Sequence, residues 1–228
     1  MDHPSQLTWA LAGGPVWPYR GPLSTAGIES TRAGGWRAEH ASFRIQLDNR
    51  GWEWPMDTPD HTVRELVQRG LRGADLDRAL ADRSSRELGF ATMAEQLPSP
   101  DNRIVPDFDH RDALGLPRPR ITFRIDDYTR RAFEHGRRIH REICAALKSA
   151  EVHHGDEVMA SGHLIGTYRM GLEAKPSVVN PDQRAHDHPN LFLLGSGVFP
   201  TSAASNPTLT IAALALKAVR PIQRVVTG

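Results

Sequence analysis

A single cysteine, Cys144, in 228 residues excludes any internal disulfide. It lies on the apolar side of a helical pattern, which suits a small core residue. Lysine is nearly missing, for Lys148, Lys175 and Lys217 are the only three, and arginine makes up the rest of the 28 basic residues. With 27 acidic residues opposite them the formal net charge is +1, so no polyanion such as nucleic acid is implied as a partner. An arginine-rich surface suits phosphate, but the matching acid count favours a mixed, solvated surface. No apolar run reaches the roughly 18 residues that a membrane span requires. The first residues also lack the basic-then-apolar layout of a secretory leader. The expectation is a soluble chain, cytoplasmic by default, with a periplasmic location also possible. No internal repeat and no low-complexity segment is present. The length allows one large domain or two small ones with a real core.

Gly and Pro punctuate residues 1–35 (Gly13, Gly14, Pro15, Pro18, Gly21, Pro22, Gly34, Gly35) and predict an extended or looping path. Only residues 7–12 suit a short helical turn. Residues 41–47 alternate Phe43, Ile45 and Leu47 with Ser42, Arg44 and Gln46, the period of a strand with one wet face. A turn over 48–51 follows, and Trp52 and Trp54 suggest a second short strand whose rings pack on a sheet face or line a sugar site. Val63, Leu66, Val67 and Leu71 form a helical stripe starting near Thr58 or Asp60. Gly70 and Gly73 break it before a second short helix carrying Leu76 and Leu80. Residues 98–119, with five prolines, read as a loop. Residues 120–125 form the clearest strand, and Asp126 or Asp127 caps a long helix to about residue 149. Its stripe is Tyr128, Ala132, Ile139, Ile143 and Leu147. Strands and helices alternate without a parallel βαβ rhythm, which predicts an antiparallel sheet flanked by helices.

The chemistry-bearing residues lie in 160–220. Leu191, Phe192, Leu193 and Leu194 form a continuous apolar run, the pattern of a strand buried on both faces. It enters Gly195-Ser196-Gly197, where missing side chains would let a ligand approach the backbone, although a plain turn reads the same way. Asn206 is a preferred N-cap and Pro207 a preferred first helical residue, so a helix should start there and stop near Pro221. Its small apolar residues predict deep burial. A buried start would aim amide donors and partial positive charge at an anion or an electron-rich ring edge. His163 stands alone in Gly162-His163-Leu164-Ile165-Gly166-Thr167, where it is either structural or catalytic. His153, His154, His186 and His188 match no closed zinc spacing.

Together GHLIGTYRMG, SVVNPDQR, HPNLFLLGSGVFPT and NPTLTIAALAL resemble, in order, the C-terminal region of the glucose–methanol–choline (GMC) oxidoreductases. These are flavoenzymes that oxidise alcohols and sugars. Less specifically, PVWPYRGPLSTAGIE, the Phe43 strand and RPRITFRIDDYT resemble bacterial sugar and gluconate dehydrogenases of that family. The resemblance implies FAD as cofactor, His163 as the active-site base, and Asn206 as the second active-site position. It also implies that Gly195, Ser196, Gly197, Val198, Pro207 and Thr208 line the flavin. The substrate hydroxyl would give its proton to His163 and its carbon a hydride to flavin N5.

The family's Gly-x-Gly-x-x-Gly dinucleotide turn is missing here. Met1-Asp2-His3-Pro4 instead resembles an internal family motif of the type Asn-Leu-x-Asp-His-Pro. The implied organisation is α+β, with residues 1–19 a flavin-domain or linker remnant and 20–160 an antiparallel substrate domain. Residues 161–228 then return a strand and a helix to an incomplete Rossmann-like FAD domain. The expected partners are a small alcohol or sugar and a complementary N-terminal FAD-binding chain, without which the chain should be inactive. The competing readings are a non-catalytic subunit, against which His163 and Asn206 stand, and an α/β hydrolase, for which Gly195-Ser196-Gly197 lacks the Gly-x-Ser-x-Gly frame.

Overall fold

The computed structural model describes residues 1–18, 20, 22, 24, 26–49 and 61–227. The expected Trp52–Trp54 strand, the 48–51 turn in part and the start of the helix after it lie outside the described residues. The chain divides into two compact units. One comprises Ser5–Ala94 and Arg130–Met159; the other comprises Met1–Pro4, Glu95–Thr129 and Ala160–Gly228.

The first unit is built on a five-stranded sheet. Its strands are β1 (Ser5–Leu11), β2 (Gly27–Ile28), β3 (Phe43–Asp48), β4 (Glu87–Ala94) and, after the hairpin strands β5 (Arg103–Arg111) and β6 (Pro117–Thr122) of the other unit, β7 (Glu151–His154). Their order is β2-β3-β4-β1-β7 and every pairing is antiparallel. The expected antiparallel sheet is therefore present. β3 lies where its alternation placed it, with Phe43 and Ile45 fully buried. β1 overturns the expectation of a loop with at most a helical turn at 7–12. Its Leu7, Ala10 and Leu11 are buried, and the strand is paired on both edges. Neither β1 nor β4 alternates cleanly, because both faces of a central strand are covered and polarity no longer marks one of them. All eight residues of β4 are buried.

Helices α1 (His61–Gln68) and α2 (Gly73–Arg86) are separated as the glycines predict, and Leu66 of the first stripe is buried. Helix α3 (Asp127–Ala146) starts on Asp126, whose carboxylate accepts the Thr129 backbone N–H at 2.8 Å. Its buried face within the sheet unit is Ala132, Phe133, Gly136, His140 and Cys144. Gly136 permits close packing, since a Cβ there would stand 2.6 Å from Thr92 Oγ1.

Two buried polar groups tie this unit together. Arg83 lies within 3.5 Å of carboxylate oxygens of Glu65, Glu87 and Glu151, and Glu87 also accepts the Thr62 hydroxyl at 2.7 Å. His140 bonds Thr8 Oγ1 at 2.8 Å and Thr92 Oγ1 at 3.1 Å and stacks on Phe90. Burial holds its pKa down to about 3, so it is neutral.

In the second unit, residues 98–119 are not a loop. β5 (Arg103–Arg111) and β6 (Pro117–Thr122) form a two-stranded ladder with a register shift between Asp107 and Arg111. Pro106 and Pro119 face each other across it. Two strands alone are both edge strands, where a missing N–H need not break a ladder. The strand expected at 120–125 is displaced to 117–122, so Phe123 falls beyond it, and both Ile121 and Phe123 are exposed.

Three expectations for the C-terminal region are corrected. Residues 191–194 form no strand: Phe192 makes one isolated bridge to Arg184, and Leu191 and Leu194 are exposed. An apolar run becomes a buried strand only where neighbouring strands cover it. Helix α4 (Thr208–Thr227) passes through Pro221 without stopping, since a single missing donor can be tolerated in an exposed helix. It is also far from deeply buried: Ala218 is its one buried residue, and Leu209 is 85% exposed.

Candidate active site

The site is assembled within the second unit around a carboxylate. Asp2 is buried, and its side chain accepts backbone N–H groups from His3 at 2.7 Å, Gly162 at 3.3 Å and His163 at 2.9 Å. An ionised carboxylate is an acceptor with room for several donors, so one side chain fixes the turn that carries His163. Gly162 meets that turn with φ +73°, a left-handed conformation that glycine adopts freely. The hydroxyl of Ser161 donates to the His3 carbonyl at 2.5 Å, and Met1 and Ile165 exchange two backbone bonds of 2.9 and 3.1 Å.

The His163 ring is held on one edge and open on the other. Nδ1 lies 3.0 Å from Nδ1 of His3 and 3.9 Å from the Asp2 carboxylate, while the side chain as a whole is 37% exposed. His3 is fully buried, edge-on to His163, and its Nε2 lies 2.7 Å from the Ala203 carbonyl and 3.2 Å from Ser202 Oγ. Asp2 and His3 were not among the site residues expected from the sequence. The signal available for them was the Asp-His-Pro motif itself, an acid and an imidazole side by side in a stretch without helical or strand periodicity.

The Gly195–Val198 segment joins the site through the chain that follows His163. Ser196 to Val198 make a single 3-10 turn, and their carbonyls accept N–H groups of Gly166 (3.1 Å), Tyr168 (3.0 Å) and Met170 (2.8 Å). Ser196 Oγ donates to the Leu164 carbonyl at 2.9 Å, so this hydroxyl serves the turn. The glycines have a local cause. Gly195 has φ +111°, and a Cβ on Gly197 would stand 2.2 Å from the Tyr168 ring, whose hydroxyl donates to the Leu194 carbonyl at 2.7 Å. Ile165, Val179, Val198 and Phe199 form the buried cluster beneath, against which Ile211 and Leu214 of α4 pack.

No hydrogen bond joins Asn206 to His163 among the described residues. The two are linked indirectly, for His3 bonds both His163 and Ala203, three residues before Asn206. Asn206 is exposed, Pro207 half-buried and Thr208 exposed, so the mouth of α4 opens outward and not into an interior. The Ile211 N–H bonds the Pro207 carbonyl at 2.9 Å, which makes Pro207 the residue that starts the ladder and Asn206 the one before it.

The arrangement defines a class: an α+β protein with an antiparallel sheet, presenting a carboxylate-anchored imidazole whose following chain is hydrogen-bonded to a glycine-bearing turn. Residues 98–215 match the family model described as GMC oxidoreductase. The chain is 31% identical over 222 residues to the fructose dehydrogenase large subunit of Gluconobacter japonicus, covering 97% of this chain and 40% of that protein. It is 36% identical over 138 residues to a C-glycoside 3-oxidase of Arthrobacter globiformis, covering 56% of this chain and 25% of that protein. The crystal structure of pyridoxine 4-oxidase from Mesorbium loti aligns with a TM-score of 0.55 at 16% identity, over 98% of this chain and 44% of that one, a likeness of fold. The chain belongs to the GMC oxidoreductase family. It spans about two fifths or less of the length of these curated relatives.

Proposed function

We propose that this chain supplies the catalytic edge of an FAD-dependent oxidoreductase acting on a CH–OH group of a sugar or related alcohol. The observation that carries this reading is the His163 imidazole, anchored on its inner edge by buried Asp2 and His3 and accessible on its outer edge. A group so held can accept a hydroxyl proton without first being reoriented. Asn206 supplies a carboxamide to orient the hydroxyl. In this reading the five-stranded sheet belongs to the substrate-binding part. Residues from 161 onward belong, as a Rossmann-like remnant, to the flavin-binding part.

The residues present fit a flavin edge. No acidic side chain occupies the first turn of α4, so its positive end is free of a competing carboxylate, and Asn206 and Thr208 are exposed beside it. Gly195, Ser196, Pro207 and Thr208 would hold the ring edge through backbone and small side chains, with buried Gly197 and Val198 supporting the turn from within. FAD, when bound, supplies a two-electron acceptor for the hydride of the substrate carbon. His163 holds the hydroxyl proton at its outer nitrogen, and Asp2 offsets the charge that the ring acquires.

The sugar class is inferred from relatives named for fructose and C-glycosides. A complementary FAD-binding chain or segment would complete the cradle, since no Gly-x-Gly-x-x-Gly turn occurs in these 228 residues. The exposed apolar surface of α4, Leu209 and Leu216 foremost, supports such a cover. The expected outcome in the flavin-loaded protein is that His163→Ala lowers turnover of sugars and polyols by about 10²–10⁴-fold with flavin binding nearly unchanged. Unaltered turnover in a dye-linked assay would remove His163 from the reaction. Tight one-to-one flavin binding by the chain alone would remove the need for a complement.

A further inference from the structure

The proton positions around His163 follow from its neighbours. The Ala203 carbonyl can only accept, so at 2.7 Å His3 Nε2 must carry a hydrogen and donate it. Ser202 Oγ is arranged consistently, for it also donates to the Ala203 carbonyl at 3.3 Å and can accept from His3 Nε2 at 3.2 Å. The His3 ring is fully buried, and burial disfavours its doubly protonated form. A neutral His3 with hydrogen on Nε2 presents a lone pair at Nδ1. Across the 3.0 Å contact, His163 Nδ1 must then be the donor. The Asp2 carboxylate, 3.9 Å from the same nitrogen, favours hydrogen there too.

We propose that His3 is a positioning residue that fixes the tautomer of His163, with hydrogen on Nδ1 and the lone pair on the outward Nε2. This deepens the reading of His163 as base and rests on it only for what the outward lone pair is used for. Left to itself, a neutral imidazole can place its hydrogen on either nitrogen, and in one of those states the outer nitrogen cannot take up a proton. His3 removes that state. Its other nitrogen donates to the Ala203 carbonyl, which keeps the His3 hydrogen on Nε2. A proton gained at His163 Nε2 stays on the ring, and the Nδ1 hydrogen bond to His3 is unbroken by the change.

The test is nitrogen NMR of the full chain labelled at histidine, with His163→Gln used to assign the signals. The expected spectrum at neutral pH gives His163 a protonated-type Nδ1 and a lone-pair-type Nε2. His3→Asn, whose carboxamide oxygen can accept where the imidazole Nδ1 stood, should keep that pattern. His3→Leu should lose it, with the Nδ1–H fraction falling at least twofold. A wild-type His163 protonated on Nε2 overturns the proposal on its own, whether or not any variant folds. So does an unchanged tautomer in folded His3→Leu, or a lost one in folded His3→Asn.

In flavin-loaded protein, His3→Leu should lower kcat by about a hundredfold with KM little changed, and His3→Asn should recover most of it. The two claims fail separately. An Nδ1–H tautomer found together with full turnover in His163→Ala keeps the assignment of His3 and discards the proposed chemistry.

Discussion

The two units treat their apolar residues in opposite ways. In the sheet unit, Phe43, Ile45, Leu88 and Phe90 are buried between strands and helices, and Arg83 and His140 are buried with them, Arg83 among three carboxylates and His140 between two threonine hydroxyls. In the unit that carries His163, the large hydrophobics are often outside. Among the described residues, every large hydrophobic more than half exposed belongs to it, from Leu164 at 55% to Leu172 at 86%. Its buried polar side chains nevertheless include Asp2 and His3, each hydrogen-bonded. The contrast separates two uses of polar burial. In the sheet unit it fastens helices and strands to one another; in the other it holds one imidazole in one state.

Three measurements can break or sharpen that contrast, in addition to the tests at His163 and His3. The largest effect is expected at Arg83. Arg83→Met leaves Glu65, Glu87 and Glu151 without their shared cation and should cost about 3–5 kcal/mol in urea unfolding. A loss below about 1 kcal/mol would show that the cluster is not what fastens this unit.

Next comes acid. His140 is neutral when folded, with a pKa near 3, and ordinary when unfolded, near 6.5. Below that upper value the unfolded chain binds a proton that the folded chain refuses. Stability is therefore full above pH 6.5 and falls by about 1.4 kcal/mol for each pH unit below it from this group alone. His135 and His154, both held down chiefly by burial, act in the same direction. Unfolding titrations between pH 7 and 5.5 check this, and flat stability across that window would contradict a buried neutral His140.

The smallest effect is expected on α4. Leu216, 74% exposed, should tolerate Leu216→Ser within about 0.5 kcal/mol while the chain becomes more soluble. A cost of a core substitution there would abolish the difference between the units.

How much was legible in the sequence varied with what each residue answers to. β3, the α1–α2 break and the Asp126 cap were readable because each is fixed locally, by alternation, by glycine and by a capping carboxylate. β1 and β4 were not, because a central strand covered on both faces carries no alternation. The 103–122 hairpin was hidden by its prolines, which an exposed ladder accommodates. At the site, His163 and the Gly195–Val198 turn stood out by motif. The glycines, however, are required by positive φ and by the Tyr168 ring, a contact 29 residues distant in sequence for Gly197. The helix start was readable to within one residue, with Pro207 and not Asn206 beginning the ladder; its outward exposure was not.

By itself the sequence determined the family, the order of the motifs and the chemical types at the site: an imidazole, a carboxamide, small residues and a helix start. These are properties of residue identity and short spacing, and they survive without coordinates. Only the tertiary structure decided which groups surround His163. Residues 2 and 3 reach residues 162, 163 and 203 across some 160 to 200 positions of chain. No local periodicity encodes such a meeting, because it depends on where the intervening sheet and helices return the backbone. The tautomer of one ring is set by that meeting and by nothing in the ring's own neighbourhood of sequence.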